Sequence, residues 1–335
     1  MPGSADQSLP PHLAPRRASP FALVAIGGAH VDRIGRVAGA YHPGASNPGV
    51  LAASVGGGAF NALRNAALRG ATPAALLSAR GGDDDGALVA GMIEAAGIAD
   101  LSAVFLDRRT ASYTAILDAG GEQIAGLADM DIYETALPRQ LRRKTVRETV
   151  AAAKAVLVDA NLPEAALRTA CDLATGPVFA VAISPAKAVR LLAVADRLAA
   201  AFMNRREMTA LAAASGADGL AGLAARGFRR TVVTGGAGPV LVLDGESRLA
   251  VEQPAAETVT DVTGAGDALA GATLARLIAE PETPLADAVR EGIAAAQLTI
   301  RAPGPVADSL TGPAFEAIRV KTAVRPLTQN EDTAS

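Results

Sequence analysis

The chain has 335 residues, 50% of them hydrophobic, with a formal net charge of -3 and a single cysteine. That length and apolar content suit one large α/β domain or two smaller ones, and the scattered, near-balanced charge lacks the basic stripe of a nucleic-acid binder. Cys171 cannot close an internal disulfide, and no charge-free apolar run is long enough for a membrane span or a signal peptide, so a soluble cytoplasmic protein acting on a small molecule is expected. Walker A, G-x-G-x-x-G, H-E-x-x-H and G-x-S-x-G motifs are absent, and His12, His30 and His42 all lie near the start, which argues against a spread metal cluster.

In chain order, residues 1–20 are rich in Pro, Ser and Ala and read as a disordered tail. Residues 21–26 form an apolar run ending in Gly27-Gly28, a buried first strand with its turn. Asp32 follows just beyond, either as a turn residue or as an acceptor for substrate hydroxyls at a strand end. Residues 33–55 carry few large apolar side chains and contain the turn signal Ser46-Asn47-Pro48-Gly49. Gly56-Gly57-Gly58 then permits close backbone approach to a ligand ahead of a helix carrying Asn61, which can donate and accept. Strands at 74–79 and 103–106 flank a helix at 84–96, which Asp83-Asp84-Asp85 caps rather than forming a metal site. Residues 112–118 and the stretch after Gly120-Gly121 read as a strand, a turn and a second strand.

Beyond residue 154, strands at 155–159, 178–183 and 197–203 alternate with helices at 164–174 and 185–193, which implies parallel pairing with helices on both faces. Asn161 and Lys187 fall at strand ends, as caps or solvated charge on residue chemistry alone. Asn204 and Glu207 open a helix with the spacing of a capping box. Strands at 231–234 and 239–243 bracket Gly235-Gly236. The stretch Asp261-Val262-Thr263-Gly264-Ala265-Gly266-Asp267 then leads into a helix at 268–279. Its glycines let successive N–H groups line one concavity at a helix N-terminus, where an anion binds. A carboxylate there, Asp267, is either an N-cap or a base that deprotonates a hydroxyl attacking phosphorus.

That heptapeptide resembles the D-T-x-G-A-G-D signature of the PfkB, or ribokinase-like, family of sugar and nucleoside kinases, departing only at Val262. Residues 27–32 resemble the family's opening motif, and Gly56 to Asn61 its G-G-x-x-x-N signature. Within the family, Ser46 to Gly49, Asp129-Met130-Asp131-Ile132, Asn161 and Lys187 resemble the pseudouridine kinases. His30 stands where many relatives have Asn, Phe60 where pseudouridine kinases tend to have Arg, and Ala128 where their N-D-M-N-I begins with Asn.

The resemblance implies a ribokinase-like three-layer α/β/α fold over residues 21–325, with a mostly parallel central sheet, a β lid from 33–55 and 107–127, and a C-terminal tail at 326–335. It implies Asp267 as base with Gly264, Ala265 and Gly266 as anion hole. His30, Asp32, Ser46, Asn47, Gly56, Gly57, Asn61, Ser112, Asp129, Asn161 and Lys187 would face the substrate. Asn204, Glu207, Thr234 and Gly236 would face ATP, with the helix at 285–300 walling the adenine. Asn204 and Glu207 would hold Mg²⁺ through water, and Asp261 and Thr263 a monovalent cation such as K⁺. The expected reaction is phosphorylation of a nucleoside 5′-hydroxyl, pseudouridine first. Another sugar or nucleoside kinase (ribokinase-, adenosine- or fructokinase-like) and a non-catalytic ligand-binding relative are the alternatives. A homodimer through the lid is expected, with neither nucleic acid nor membrane as partner.

Overall fold

The computed structural model describes residues 21–216, 219–328 and 331; the N-terminal tail expected at 1–20 lies outside the described residues. β1 (Leu23–Ile26) precedes the paired strands β2 (His30–Val37) and β3 (Gly49–Gly56). Next come β4 (Ala74–Leu77), β5 (Ala79–Gly81), β6 (Ala99–Asp100) and β7 (Ala103–Phe105), then β8 (Ser112–Leu117) and β9 (Gln123–Asp129). The second half supplies β10 (Ala155–Asp159), β11 (Val178–Val181), β12 (Leu198–Asn204), β13 (Arg230–Thr234), β14 (Val240–Asp244), β15 (Ser247–Glu252) and β16 (Ala323–Pro326).

Every residue of β1, β4, β10 and β11 is buried, as a parallel sheet covered on both faces requires. In β1 the side chains alternate: Val24 and Ile26 join one core with Leu167 and Leu211, while Leu23 and Ala25 join the other with Leu63, Leu269 and Ile293. The ten-stranded sheet has the order β16-β15-β14-β13-β12-β11-β10-β1-β4-β6, parallel from β13 to β6 and antiparallel from β13 to β16. This is the expected three-layer ribokinase-like arrangement. The strand order reverses between β1 and β10, so a crevice opens at their carboxyl ends. On one face the helices Gly58–Leu68 and Ala265–Ala279 pack closely, because a Cβ on Gly271 would come within 2.4 Å of the Ala62 carbonyl oxygen. That approach brings the start of the two helices together at the crevice.

β3-β2-β8-β9 form a separate four-stranded sheet, with β2 antiparallel to β3 and parallel to β8. Its strands match the two lid segments read from the sequence, but β2 starts at His30. Asp32 is therefore within a lid strand, opposite Ser54 and Tyr113, rather than in a turn after the first strand. Pairing on both sides extends this polar stretch, which local propensity does not announce. Arg33 of β2 grips both oxygens of Asp85 at 2.6 and 2.7 Å, tying the lid to the first turn of the helix Asp84–Ala95. Asp83 caps that helix by accepting from the Gly86 N–H, and among the described residues no acidic, His or Cys cluster is suited to a metal.

Part of the expected C-terminal tail is held in place. Pro326 ends β16, the Leu327 N–H donates to the Arg248 carbonyl, and Glu331 pairs with Arg325. The antiparallel edge of the sheet accounts for this, a pairing with no local signal; residues 329–330 and 332–335 lie outside the described residues. No described helix is long and apolar enough to cross a membrane.

Candidate active site

The helix Ala265–Ala279 begins at Gly264, its N-cap, with φ 77. A Cβ there would lie 2.3 Å from the Pro305 carbonyl oxygen, so both the backbone conformation and the space call for glycine. Asp267 is consequently the third residue inside the helix and not its cap, which removes the plain capping alternative. The Ala265 N–H is turned back on the Val262 carbonyl at 3.3 Å. Among the described residues no hydrogen bond claims the N–H of Gly264, Gly266 or Asp267. Unclaimed donors at the positive end of a helix form an anion site.

Asn61 Nδ2 donates to Asp267 Oδ2 at 3.1 Å. Burial raises the Asp267 pKa to about 7; the Asn61 bond opposes the shift, and the charges of Asp159, Glu207 and Asp32 add to it. The carboxylate still borders open space, in a cavity of about 330 Å³ lined also by His30, Asp32, Gly57, Asn61, Asn204, Glu207, Thr234, Thr263, Gly264 and Gly266. A carboxylate that changes charge near neutrality at the base of a crevice is suited to general-base work.

A second cavity of about 320 Å³ adjoins the first and shares Thr234, Gly266 and Leu269 with it. Its wall is apolar, with Val240, Pro254, Val259, Val262, Ala296 and Ile300; Gly236 and Ala265 lie on it, and the helix Leu285–Thr299 forms one side. A flat heterocycle fits such a surface, with its phosphates directed at the free N–H groups between the two cavities.

Asn204 and Glu207 make a reciprocal capping box: Asn204 Oδ1 accepts from the Glu207 N–H at 2.9 Å, and Glu207 Oε2 accepts from the Asn204 N–H at 2.8 Å. Burial pushes the Glu207 carboxyl up, against hydrogen bonds to it from the Asn204 backbone and side chain. Asp261 Oδ1 accepts the Thr263 N–H at 2.8 Å and so closes its own turn.

The remaining expected residues divide. His30 Nε2 lies 3.3 Å from Asp32 Oδ1 and its Nδ1 lies 3.4 Å from the Tyr133 hydroxyl. Lys187 Nζ donates to Asn161 Oδ1 at 2.6 Å, with neither residue on the cavity wall, and burial pulls the Lys187 pKa down. Ser46 and Asn47 are not brought to the cavity. The Asn47 amide bonds to the His42 backbone N–H and carbonyl and to the Ala45 carbonyl, closing the lid loop on itself. Ser112 and Asp129 face one another across β8 and β9, also off the cavity wall. Phe60 is fully buried with the Arg64 guanidinium over its ring, so its departure from the family pattern falls in the core.

Sequence reading overlooked three residues. Asp159 is fully buried and accepts from the N–H of Gly28 at 2.8 Å, of Ala59 at 3.3 Å and of Asn161 at 3.0 Å, and from Asn161 Nδ2 at 3.0 Å. It thereby joins the ends of β1 and β10 to the helix at Gly58–Leu68. Its one sequence signal is a carboxylate ending an apolar strand. Ile183, on the cavity wall, holds φ 74, a strained conformation for a β-branched residue, and has no sequence signal. Tyr133 is fully buried, with its hydroxyl bonded to both the N–H and the carbonyl of Ala29.

The model of the pfkB family of carbohydrate kinases matches residues 21–311. Pseudouridine kinase of Escherichia coli (strain K12) is 31% identical over 255 residues, covering 74% of this chain and 80% of its own. A carbohydrate kinase structure from Agrobacterium tumefaciens is 39% identical with TM-score 0.78, over 90% of this chain and 99% of that one. Arabidopsis thaliana ribokinase, complexed with ribose and ATP, shares the fold at 18% identity and TM-score 0.74, over 90% of this chain and 99% of that one.

Proposed function

The chain belongs to the pfkB family of carbohydrate kinases, and on that premise we propose that it is a cytoplasmic, ATP-dependent kinase of nucleoside 5′-hydroxyls with pseudouridine as its substrate. At the family level it is a phosphotransferase acting on an alcohol group of a small sugar or nucleoside. The observation that carries the kinase reading is Asp267: a base poised near neutrality beside unclaimed N–H groups, where the polar and apolar cavities meet.

ATP supplies the γ-phosphoryl group and Mg²⁺ offsets phosphate charge when both are bound. The residues present fit them. The apolar wall of Val259, Val262 and Ile300 suits the adenine, and the N–H groups of Gly264 and Gly266 suit the phosphates. Glu207, whose Oε2 accepts the Asn204 N–H, and Asn204 beside it would face a hydrated ion. Asp32 and Asn61 hold the acceptor. Asn61 Oδ1 is buried without a partner, an acceptor awaiting a hydroxyl. Asp267 takes the proton of the attacking hydroxyl, and the N–H groups hold the charge that develops on the transferring oxygens.

The pseudouridine assignment is supported by the 31% identity to a pseudouridine kinase over 255 residues. A monovalent cation at Asp261 and Thr263 belongs to the same proposal. So does a homodimer through the lid, where Val50, Leu51 and Leu127 are 73%, 63% and 71% exposed. The test is ATP consumption with pseudouridine, uridine, ribose and fructose 6-phosphate side by side. Pseudouridine should give by far the highest kcat/KM, and a preference for ribose or fructose 6-phosphate would overturn the nucleoside assignment. The non-catalytic alternative is disfavoured, since Asp267 and its anion site are both intact.

A further inference from the structure

We propose that Tyr133 is a positioning residue for acceptor binding, whose hydroxyl anchors the root of lid strand β2 and through it sets the Asp32 carboxylate. This rests on the reading above of Asp32 as an acceptor contact.

Tyr133 has no part in the phosphoryl chemistry, yet it is a fully buried phenol whose ring joins the hydrophobic core while its hydroxyl meets polar groups. Burial first, then the charge of Asp159, pushes its pKa up, so it stays a neutral hydroxyl with one proton to give. The hydroxyl donates a hydrogen bond to the Ala29 carbonyl at 2.8 Å and accepts one from the Ala29 N–H at 3.0 Å. One side chain of the body thus holds both polar groups of the residue that precedes β2. The oxygen also meets His30 Nδ1 at 3.4 Å, with the two rings tilted at 53° and their centroids 6.2 Å apart, which is an edge contact and not a stack. His30 Nε2 then meets Asp32 Oδ1 at 3.3 Å. Ala29, His30 and Asp32 form a continuous path from the Tyr133 hydroxyl to the cavity. Gly56, paired with His30 across β2 and β3, makes room for the carboxylate, since a Cβ there would strike Asp32 Oδ2. Freed of Tyr133, the β2 root gains latitude and the carboxylate loses its fixed place.

The experiment is a double-mutant cycle on the full chain with pseudouridine and ATP. Tyr133→Phe keeps the ring and removes the hydroxyl. It should raise KM for pseudouridine by roughly fivefold, the worth of about one hydrogen bond, with kcat and KM for ATP within about twofold. Asp32→Asn should raise KM as well, and adding Tyr133→Phe to it should raise KM no further. A general packing defect would instead lower kcat and act in both backgrounds. Unchanged KM in Tyr133→Phe, or a full additional effect in the Asp32→Asn background, overturns the proposal. Should Asp32→Asn leave KM unchanged, the acceptor-site reading falls and this proposal with it, a different outcome from Tyr133→Phe failing alone. If Tyr133→Phe does not fold, His30→Ala tests the same path, and an effect independent of Asp32 is again the overturning result.

Discussion

Asn61 Nδ2 and Asp267 Oδ2 meet at 3.1 Å across 206 residues of chain, joining the first glycine-rich segment to the last. The bond favours the charged carboxylate, while burial and the neighbouring acids favour the neutral one. The balance leaves Asp267 titrating at about 7, so the base form is present above that pH and is lost below it.

Asp267→Asn preserves shape and removes the proton acceptor. The expected result is a kcat lowered roughly 10²–10⁴-fold with ATP affinity largely kept, measured by steady-state kinetics and nucleotide binding. A near-normal kcat would remove Asp267 from the role of base.

For the intact enzyme, kcat/KM should fall as pH drops below about 7. Asn61→Ala deletes the bond that favours the ionised form, so the acidic limb of the pH–rate profile should move to higher pH. An unmoved or acid-shifted limb contradicts the assignment.

Glu207→Gln should raise the Mg²⁺ concentration needed for half-maximal activity while leaving the fold intact. Burial raises the folded-state pKa of Glu207, so its ionisation costs stability as pH rises through that value, and neutral Gln escapes the cost. The Tm of the variant at about pH 8 should therefore equal or exceed that of the parent. A Tm several degrees lower with unchanged Mg²⁺ dependence would leave Glu207 a capping role only.

Two adjacent glycines should respond differently to alanine. A Cβ at position 56 meets the end of the Asp32 side chain at 2.1 Å, so Gly56→Ala should displace that carboxylate and raise the acceptor KM. At Gly57 the Cβ meets the Gly28 carbonyl oxygen at 2.4 Å from a backbone with φ 115. Gly57→Ala should cost about 1–3 kcal/mol of stability, seen as a lower denaturation midpoint. Equal thermal stability in the two variants would count against the distinction.

What could be read in advance was whatever is encoded by near neighbours. Gly264, Gly266 and Asp267 lie in one turn, and Asn204 with Glu207 in another, so spacing alone places them. Asp32, read as a turn residue or a strand-end acceptor just beyond the first strand, lies instead within an extended strand, because its partners Ser54 and Tyr113 come from distant parts of the chain. Asp159 and Tyr133 are polar side chains whose partners come from other elements, and nothing local distinguishes them from a strand end and a core aromatic. Ser46 and Asn47 carry a recognisable motif, but the Asn47 amide is satisfied within its own loop. A motif reports residue type; it does not report which way the surrounding loop turns.

The lid strand β2 carries Asp32 and also Arg33, the residue that locks onto Asp85. Asp32 lines the polar cavity and Arg33 holds the body. A graft that exchanged residues 30–56 for the equivalent of a relative would thus import the donor's residue at position 32 and, at the same time, inherit or break the clasp that seats it. Selectivity and lid attachment travel together in such chimeras, and Asp85 is the site at which a mismatched clasp should be repaired.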